Sequence, residues 1–165
     1  MRPAPLDLAV RELLASLSHV DGQELMARLA RAAACVAGTG YAGFVRVDAL
    51  GESAAPVHVL TPPGDPLRVC AWLRESGVLK ELAVCADPVR LPRDPSVGEP
   101  GFLSMPVPMA TFDHGHLWVA GRAFHDGDEH LLSRLSAAAG RALEAASGLE
   151  AAARMLRGVR AFTTA

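Results

Sequence analysis

The stretch from Gly101 to Leu132, GFLSMPVPMATFDHGHLWVAGRAFHDGDEHLL, restricts the fold more than any other part of this chain. An apolar run from Phe102 to Met109 is interrupted by Pro106 and Pro108. A polar turn follows over Thr111–Gly115, and a second apolar run covers Leu117–Ala120. Phe124-His125-Asp126-Gly127-Asp128-Glu129 then opens a long segment rich in alanine and leucine. The order reads as strand, turn, strand and capped helix. Proline cannot donate to a strand ladder, so the first strand is expected to be an edge, or bulged, near its end. Asp126 with Glu129 three residues on has the spacing of a helix N-cap and its capping box, and Asp128 adds negative charge at the positive end of the helix dipole.

The remainder of the chain sorts by periodicity. Leu6, Val10, Leu13, Leu14 and Leu17 recur at helical spacing over residues 5–18. A second helix is expected after Asp21 as N-cap, with Leu25, Leu29, Ala32, Ala33 and Val36 as its buried stripe and Gly38 or Gly40 as its stop. Tyr41–Val47 and Val57–Leu60 read as a hairpin around Gly51-Glu52-Ser53. Past Pro62-Pro63-Gly64 come two short helices, Leu67–Leu73 and Val78–Leu82. A brief strand at Val89–Leu91 and a loop from Arg93 to Gly101 follow. Leu132, Leu135, Ala139, Ala142, Ala146, Leu149, Ala153 and Leu156 run in steps of three and four, a sustained heptad in which Gly148 is expected to mark a kink or an early end.

Three pieces of this pattern, in order, resemble the GAF domain, a small-ligand sensor module. Phe102-Leu103-Ser104-Met105-Pro106-Val107 resembles its S-F-L-G-V-P-I strand. Gly115-His116-Leu117-Trp118-Val119 resembles G-x-L-x-L, and Phe124 through Leu132 resembles F-T-x-E-D-x-x-L-L. The likeness spans residues 21–146 and is nearest to the GAF domains of actinobacterial sensor histidine kinases. It implies a single α+β domain over residues 1–165: a PAS-related central antiparallel sheet, N- and C-terminal helices on one face, and short helices and loops over the other.

Composition bounds the chemistry. Half the residues are apolar and 21% are charged, the balance of a globular domain with a proper core. A net charge of −2 carries no electrostatic footprint for nucleic acid. No apolar run approaches the ~20 residues of a membrane span, so a soluble, cytoplasmic protein is expected. Cys35, Cys70 and Cys85 form no C-x-x-C pair and fit reduced thiols, Cys35 and Cys70 as buried small hydrophobes. His114, His116, His125 and His130 lie near Asp113, Asp126 and Asp128, but turn and cap positions account for them better than a metal site does. The haem-binding relatives that the family includes carry an axial histidine just before the S-F-L-G-V-P strand. Here that place reads Pro95-Ser96-Val97-Gly98-Glu99-Pro100-Gly101, so haem is not expected. No counterpart of the bilin-binding cysteine occurs either.

What the resemblance leaves is a pocket and a dimer. Phe44, Arg46, Trp72, Leu103, Met105, His116 and Trp118 are expected to line a cavity beneath the short helices, for a small organic ligand. The last helix needs about four turns, to Leu143, to cover its own domain. Its stripe of Leu135, Ala139, Ala142, Ala146, Leu149 and Leu156 is expected to meet a second copy, with the terminal helices 5–18 and 127–160 forming a homodimer. The function expected is a non-enzymatic sensor or regulator that answers to a ligand or a separate signalling protein. The alternatives are a thiol enzyme of the free methionine sulfoxide reductase type and a ligand-free dimerisation scaffold.

Overall fold

The computed structural model describes residues 22–48, 50–108 and 114–163. The helix expected at 5–18, its share of a dimer interface and the cap at Asp21 lie outside the described residues. Chain order is α1 (Gly22–Ala37), β1 (Tyr41–Val47), β2 (Ala54–Leu60), α2 (Val69–Glu75), α3 (Val78–Val84), β3 (Val89–Asp94), β4 (Glu99–Val107), β5 (His114–Ala120) and α4 (Asp126–Thr163). The strands form one five-stranded antiparallel sheet in the order β2-β1-β5-β4-β3. The central pair, β1 and β5, joins segments far apart in the chain, with Phe44 opposite Leu117 and Val45 opposite His116.

Alternation along each strand divides the core in two. Ala42, Phe44, Leu103, Met105, Leu117 and Val119 face α1 and α4, where Leu132 and Ala139 complete that layer. Tyr41, Val45, Phe102, Trp118 and Ala120 face α2 and α3, which contribute Val69, Leu73, Val78 and Leu82. Helix α1 keeps Ala33, with Leu29 packed against the core, from the expected stripe and is otherwise rotated from it. Ala30, Ala33, Ala34 and Ala37 are its buried residues, whereas Val36 is 50% exposed and Cys35 is exposed. Alanine wins because the helix axis must come close to the sheet, and the larger side chains rotate to the rim.

The segment expected as a loop from Arg93 to Gly101 is instead the tight connection of a hairpin. β3 runs to Asp94, a 3₁₀ turn covers Pro95–Val97, and β4 starts at Glu99. The Asp94 carboxylate accepts from the backbone N–H and hydroxyl of Ser96, and Gly98 supplies the left-handed residue that closes the turn. Pro106 behaves as expected of an edge. β3 ends its pairing opposite Ser104, so from Met105 onward β4 is flanked by β5 alone among the described residues.

The start of α4 is shifted by one residue from the expected cap. His125, not Asp126, is the N-cap: its carbonyl accepts the first helical bond from Glu129 N–H, and its Nδ1 accepts from Gly127 N–H. Asp128, at the third helical position, reaches back to the His125 N–H at 2.9 Å, as a capping-box acid does. Asp128 has a second role, binding the Arg122 guanidinium at 2.6 and 3.1 Å. Arg122 also donates Nε–H to the Ala37 carbonyl at 2.7 Å and lies over the Phe124 ring. One side chain thus ties the end of β5, the C-terminus of α1 and the start of α4 together. Helix α4 continues unbroken through Gly148 to Thr163, so that glycine ends nothing.

Candidate functional site

The face of the sheet covered by α2 and α3 is built by two short helices that need help to start. Neither helix has a side-chain cap on the residue before it. For α2 the help comes from further back, where the Asp65 carboxylate accepts from Val69 N–H at 2.8 Å and Cys70 N–H at 3.0 Å. The Tyr41 hydroxyl, rising from β1, accepts from Leu67 N–H at 3.1 Å and fixes the approach to the helix. Helix α3 is held by His116 on β5: its Nε2 lies 3.0 Å from the Leu82 carbonyl oxygen. A carbonyl only accepts, so Nε2 carries the hydrogen.

Beneath these helices Trp118 is fully buried and stacks on Phe102 at 5.8 Å between ring centres. Trp72, from α2, meets the other side of that ladder at 5.2 Å from Phe102. The indole of Trp118 lies against β1 where Gly43 is its cross-strand partner; a Cβ on Gly43 would stand 2.7 Å from Trp118 Cζ2 and collide with the His58 carbonyl oxygen. Glycine is therefore required there by close approach, not by its backbone angles.

Opposite Trp118 on β4 sits Ser104. Both are fully buried, and among the described residues neither Ser104 Oγ nor Trp118 Nε1 has a hydrogen-bond partner. Leaving such a group unsatisfied costs about 1–3 kcal/mol. Ser104 was not among the expected site residues. Its place between two apolar neighbours on a strand was the signal available.

At the β3 edge of the same face a groove of about 360 Å³ opens to solvent. Trp72, Val78, Leu91 and Pro92 form apolar walls, and Glu81, Asp94 and Glu99 bring carboxylates to it. Glu99 Oε2 accepts from Trp72 Nε1 at 3.2 Å, which sets the indole in place.

The expected pocket set therefore splits. Trp72, His116 and Trp118 do share one face. Phe44, Leu103 and Met105 point the other way, into the layer under α1 and α4. Arg46 shares the parity of Phe44 and is exposed, so it too is absent from the face under the short helices. The cause is register: Phe44 pairs with Leu117, not with the Trp118 set, and Leu103 and Met105 alternate with Phe102 and Ser104. The helical stripe also needs correction. Ala139 is fully buried in this chain's own core, so it is not available to a second copy, while Leu135 packs against that core and is half-buried. Ala142, Ala146 and Leu149 are half-buried, and Leu156 is exposed.

Of the thiols, Cys35 and Cys70 are exposed and Cys85 is partly covered, contrary to the burial expected of the first two. Partial burial, with the Asp65 carboxylate beside it, pushes the Cys70 thiol up from its ordinary value. No imidazole lies in the segment Pro95–Gly101, so the donor set there does not fit a haem iron. None of the helices among the described residues is long and apolar enough to cross a membrane.

No family model matches the sequence, and no curated protein matches it significantly. Solved structures do. The GAF-B domain of DevS from Mycobacterium smegmatis is 18% identical, with 79% of this chain and 98% of that chain covered and a TM-score of 0.53. The GAF domain/HD domain protein from Geobacter sulfurreducens is 17% identical over 81% of this chain and 97% of its own, at a TM-score of 0.54. GAF3 from Slr1393 of Synechocystis sp. PCC6803, in its photoproduct state, is 13% identical with 79% and 98% covered, at a TM-score of 0.60. Nearly the whole of each of these domains superposes on the antiparallel sheet and flanking helices described above: this chain has the GAF fold.

Proposed function

We propose that the protein is a non-enzymatic sensory module that holds a small organic ligand between the sheet and helices α2 and α3, and passes its occupancy along α4 to a second copy. The observation that carries this reading is the buried pair Ser104 Oγ and Trp118 Nε1. Two buried polar atoms without a protein partner, on residues that face each other across β4 and β5, fit a ligand carbonyl or hydroxyl better than they fit a finished core. The likeness of the fold to the GAF domains of DevS, together with the small-ligand sensor module that the sequence resembles, agrees with the reading. A route for the signal exists. Helix α4 contacts the opposite face of the same strands, with Ser136 Oγ donating to the Pro106 carbonyl two residues from Ser104. Beyond Leu143 it leaves the core, and Met155, Leu156 and Val159 are exposed apolar side chains at its far end. A second copy is the partner proposed for them, in a protein that works in the cytoplasm. The thiol-enzyme alternative draws no support from Cys70, whose raised pKa disfavours the nucleophilic thiolate.

One observation favours the scaffold alternative: Trp118, Phe102, Leu73 and Leu82 already pack the space under the short helices. Native mass spectrometry of the purified protein separates the two. A sensor carries or takes up a small molecule that Ser104→Val releases. A scaffold shows one bare mass even after incubation with a small-metabolite extract, and gains stability from Ser104→Ala because an unsatisfied buried hydroxyl is removed.

A further inference from the structure

One row of residues crosses the sheet beneath α2 and α3: Val89 on β3, Ser104 on β4, Trp118 on β5, Gly43 on β1 and Val59 on β2. Its polar side-chain atoms are Ser104 Oγ and Trp118 Nε1, both fully buried and, among the described residues, without a partner. The chemistry of those atoms restricts what can meet them. An indole N–H donates and never accepts, so whatever answers Trp118 is an acceptor. A hydroxyl does both, so Ser104 sets no sign. The surroundings set the charge. Among the described residues the other buried polar side chains are His116, Asp128 and Ser136. Asp128 and Ser136 belong to α4, on the opposite face of the sheet, and His116 is engaged by the Leu82 carbonyl. On this face, then, no buried lysine, arginine or carboxylate stands among the described residues to neutralise a charged ligand.

We infer that the ligand of this face is a neutral, planar carbonyl compound (an aromatic ketone, lactone or lactam), its oxygen accepting from Trp118 Nε1–H and its ring joining the aromatic side chains beside it. This rests on the reading that the face covered by the short helices takes a ligand, and it names that ligand's class. An ammonium group brings donors only and would leave the indole N–H unanswered. A carboxylate or phosphate would accept, but its charge would be taken out of water with no counter-charge to meet it. A carbonyl oxygen has two lone pairs and no hydrogen of its own, so it answers the indole without adding another donor to satisfy. Flatness follows from the rings. Phe102 and Trp118 are stacked with 27° between their planes, a geometry that a further ring extends. Trp72 stands at the other end of the ladder, 5.2 Å from Phe102 and only half-buried, so it is the side chain that yields to an entering ring.

The chain has two tryptophans, Trp72 and Trp118, so its indole N–H resonances in a ¹H–¹⁵N spectrum report the site directly. The Trp118 signal is assigned by its absence from Trp118→Phe, which keeps a ring and removes the donor. Titration with coumarin, 1-indanone and 2-quinolone tests the class, against naphthalene without an acceptor, 2-naphthol with a hydroxyl and coumarin-3-carboxylate with a charge. At least one of the three carbonyl compounds is expected to move the Trp118 signal downfield and saturably. Trp118→Phe should weaken that compound about tenfold while leaving naphthalene's weaker binding unchanged. Equal affinity for naphthalene, 2-naphthol or the carboxylate would overturn the assignment, as would a shift confined to the Trp72 signal. Should that variant fail to fold, the wild-type panel still decides, with Ser104→Ala expected to keep the downfield shift. A protein that ignores all three carbonyl compounds, yet carries a charged or non-aromatic molecule released by Ser104→Val, overturns the class alone and leaves the sensor reading standing. One that takes no molecule of any kind overturns both.

Discussion

Gly43 and Asp128 show how much a single position can carry here. No side chain other than glycine's hydrogen fits between the His58 carbonyl and the Trp118 ring, so Gly43→Ala overpacks the site. We expect a loss of about 1–3 kcal/mol in denaturant unfolding, with a change in tryptophan emission as the indole is displaced. Asp128 is a different case. The hydrogen bonds from the Arg122 guanidinium, aided by the His125 N–H, hold its carboxyl below the ordinary carboxylate value despite partial burial. A carboxyl with a depressed folded-state pKa contributes stability that is fully present above its unfolded value of about 3.9 and disappears as pH falls through the folded value below it. Asp128→Asn is therefore expected to cost about 1–3 kcal/mol at neutral pH, and to flatten the decline in stability that the wild type shows below about pH 4. Unfolding curves recorded from neutral to acid pH on both proteins check the sign. An equally steep acid decline in the variant would assign it to other carboxylates.

At the level of elements, the contact between α4 and β4 depends on a small residue that no local pattern marks. Gly140 sits where α4 crosses Pro108, and a Cβ there would run into the Pro108 carbonyl oxygen. Ser136, one turn earlier, bonds the Pro106 carbonyl at 2.6 Å. Glycine costs a helix about 1 kcal/mol relative to alanine, and here close approach to the strand end offsets it. Gly140→Ala should thus raise helix propensity and still lower stability, by about 1–3 kcal/mol of overpacking. Thermal unfolding decides between the two effects, since a stabilised variant would mean that the helix and strand separate freely. The cap of α4 carries the same message. An acid three residues past a candidate cap was legible at Asp126 and Glu129, but the same spacing also fits His125 and Asp128. Only the position of Arg122, which claims Asp128 from the preceding turn, selects between them.

For the whole molecule the far half of α4 is the surface on which the proposed dimer stands. Met155 is 74% exposed and Leu156 57%, on a 38-residue helix whose last core contact is Leu143. If a second copy is the partner, the paired charges of Met155→Glu with Leu156→Glu should dissociate it into folded monomers. Light scattering during size-exclusion chromatography reads the mass, and circular dichroism confirms that the domain remains folded. A wild type that stays monomeric at high concentration would remove the dimer from the proposed function and leave the ligand face untouched.

Much of this architecture was legible because it is written locally. Period-two runs announced β1, β4 and β5, turn residues separated them, and a polar cluster before an alanine-rich stretch opened α4. The same alternation put Trp118 and His116 on one side of β5 and Leu117 and Val119 on the other. What it left undecided is which side of each strand meets which layer. That depends on the cross-strand register of β1 with β5, which sets Phe44 beside Leu117, and on how closely the alanine face of α1 approaches the sheet. That the atoms of Ser104 and Trp118 are left orphaned, and that acidic side chains gather at one groove, no single segment spells out, because each is made by residues brought together from separate elements. Short-range sterics determine strands and helices one segment at a time; sites arise where segments meet, and only long-range packing chooses the meeting places.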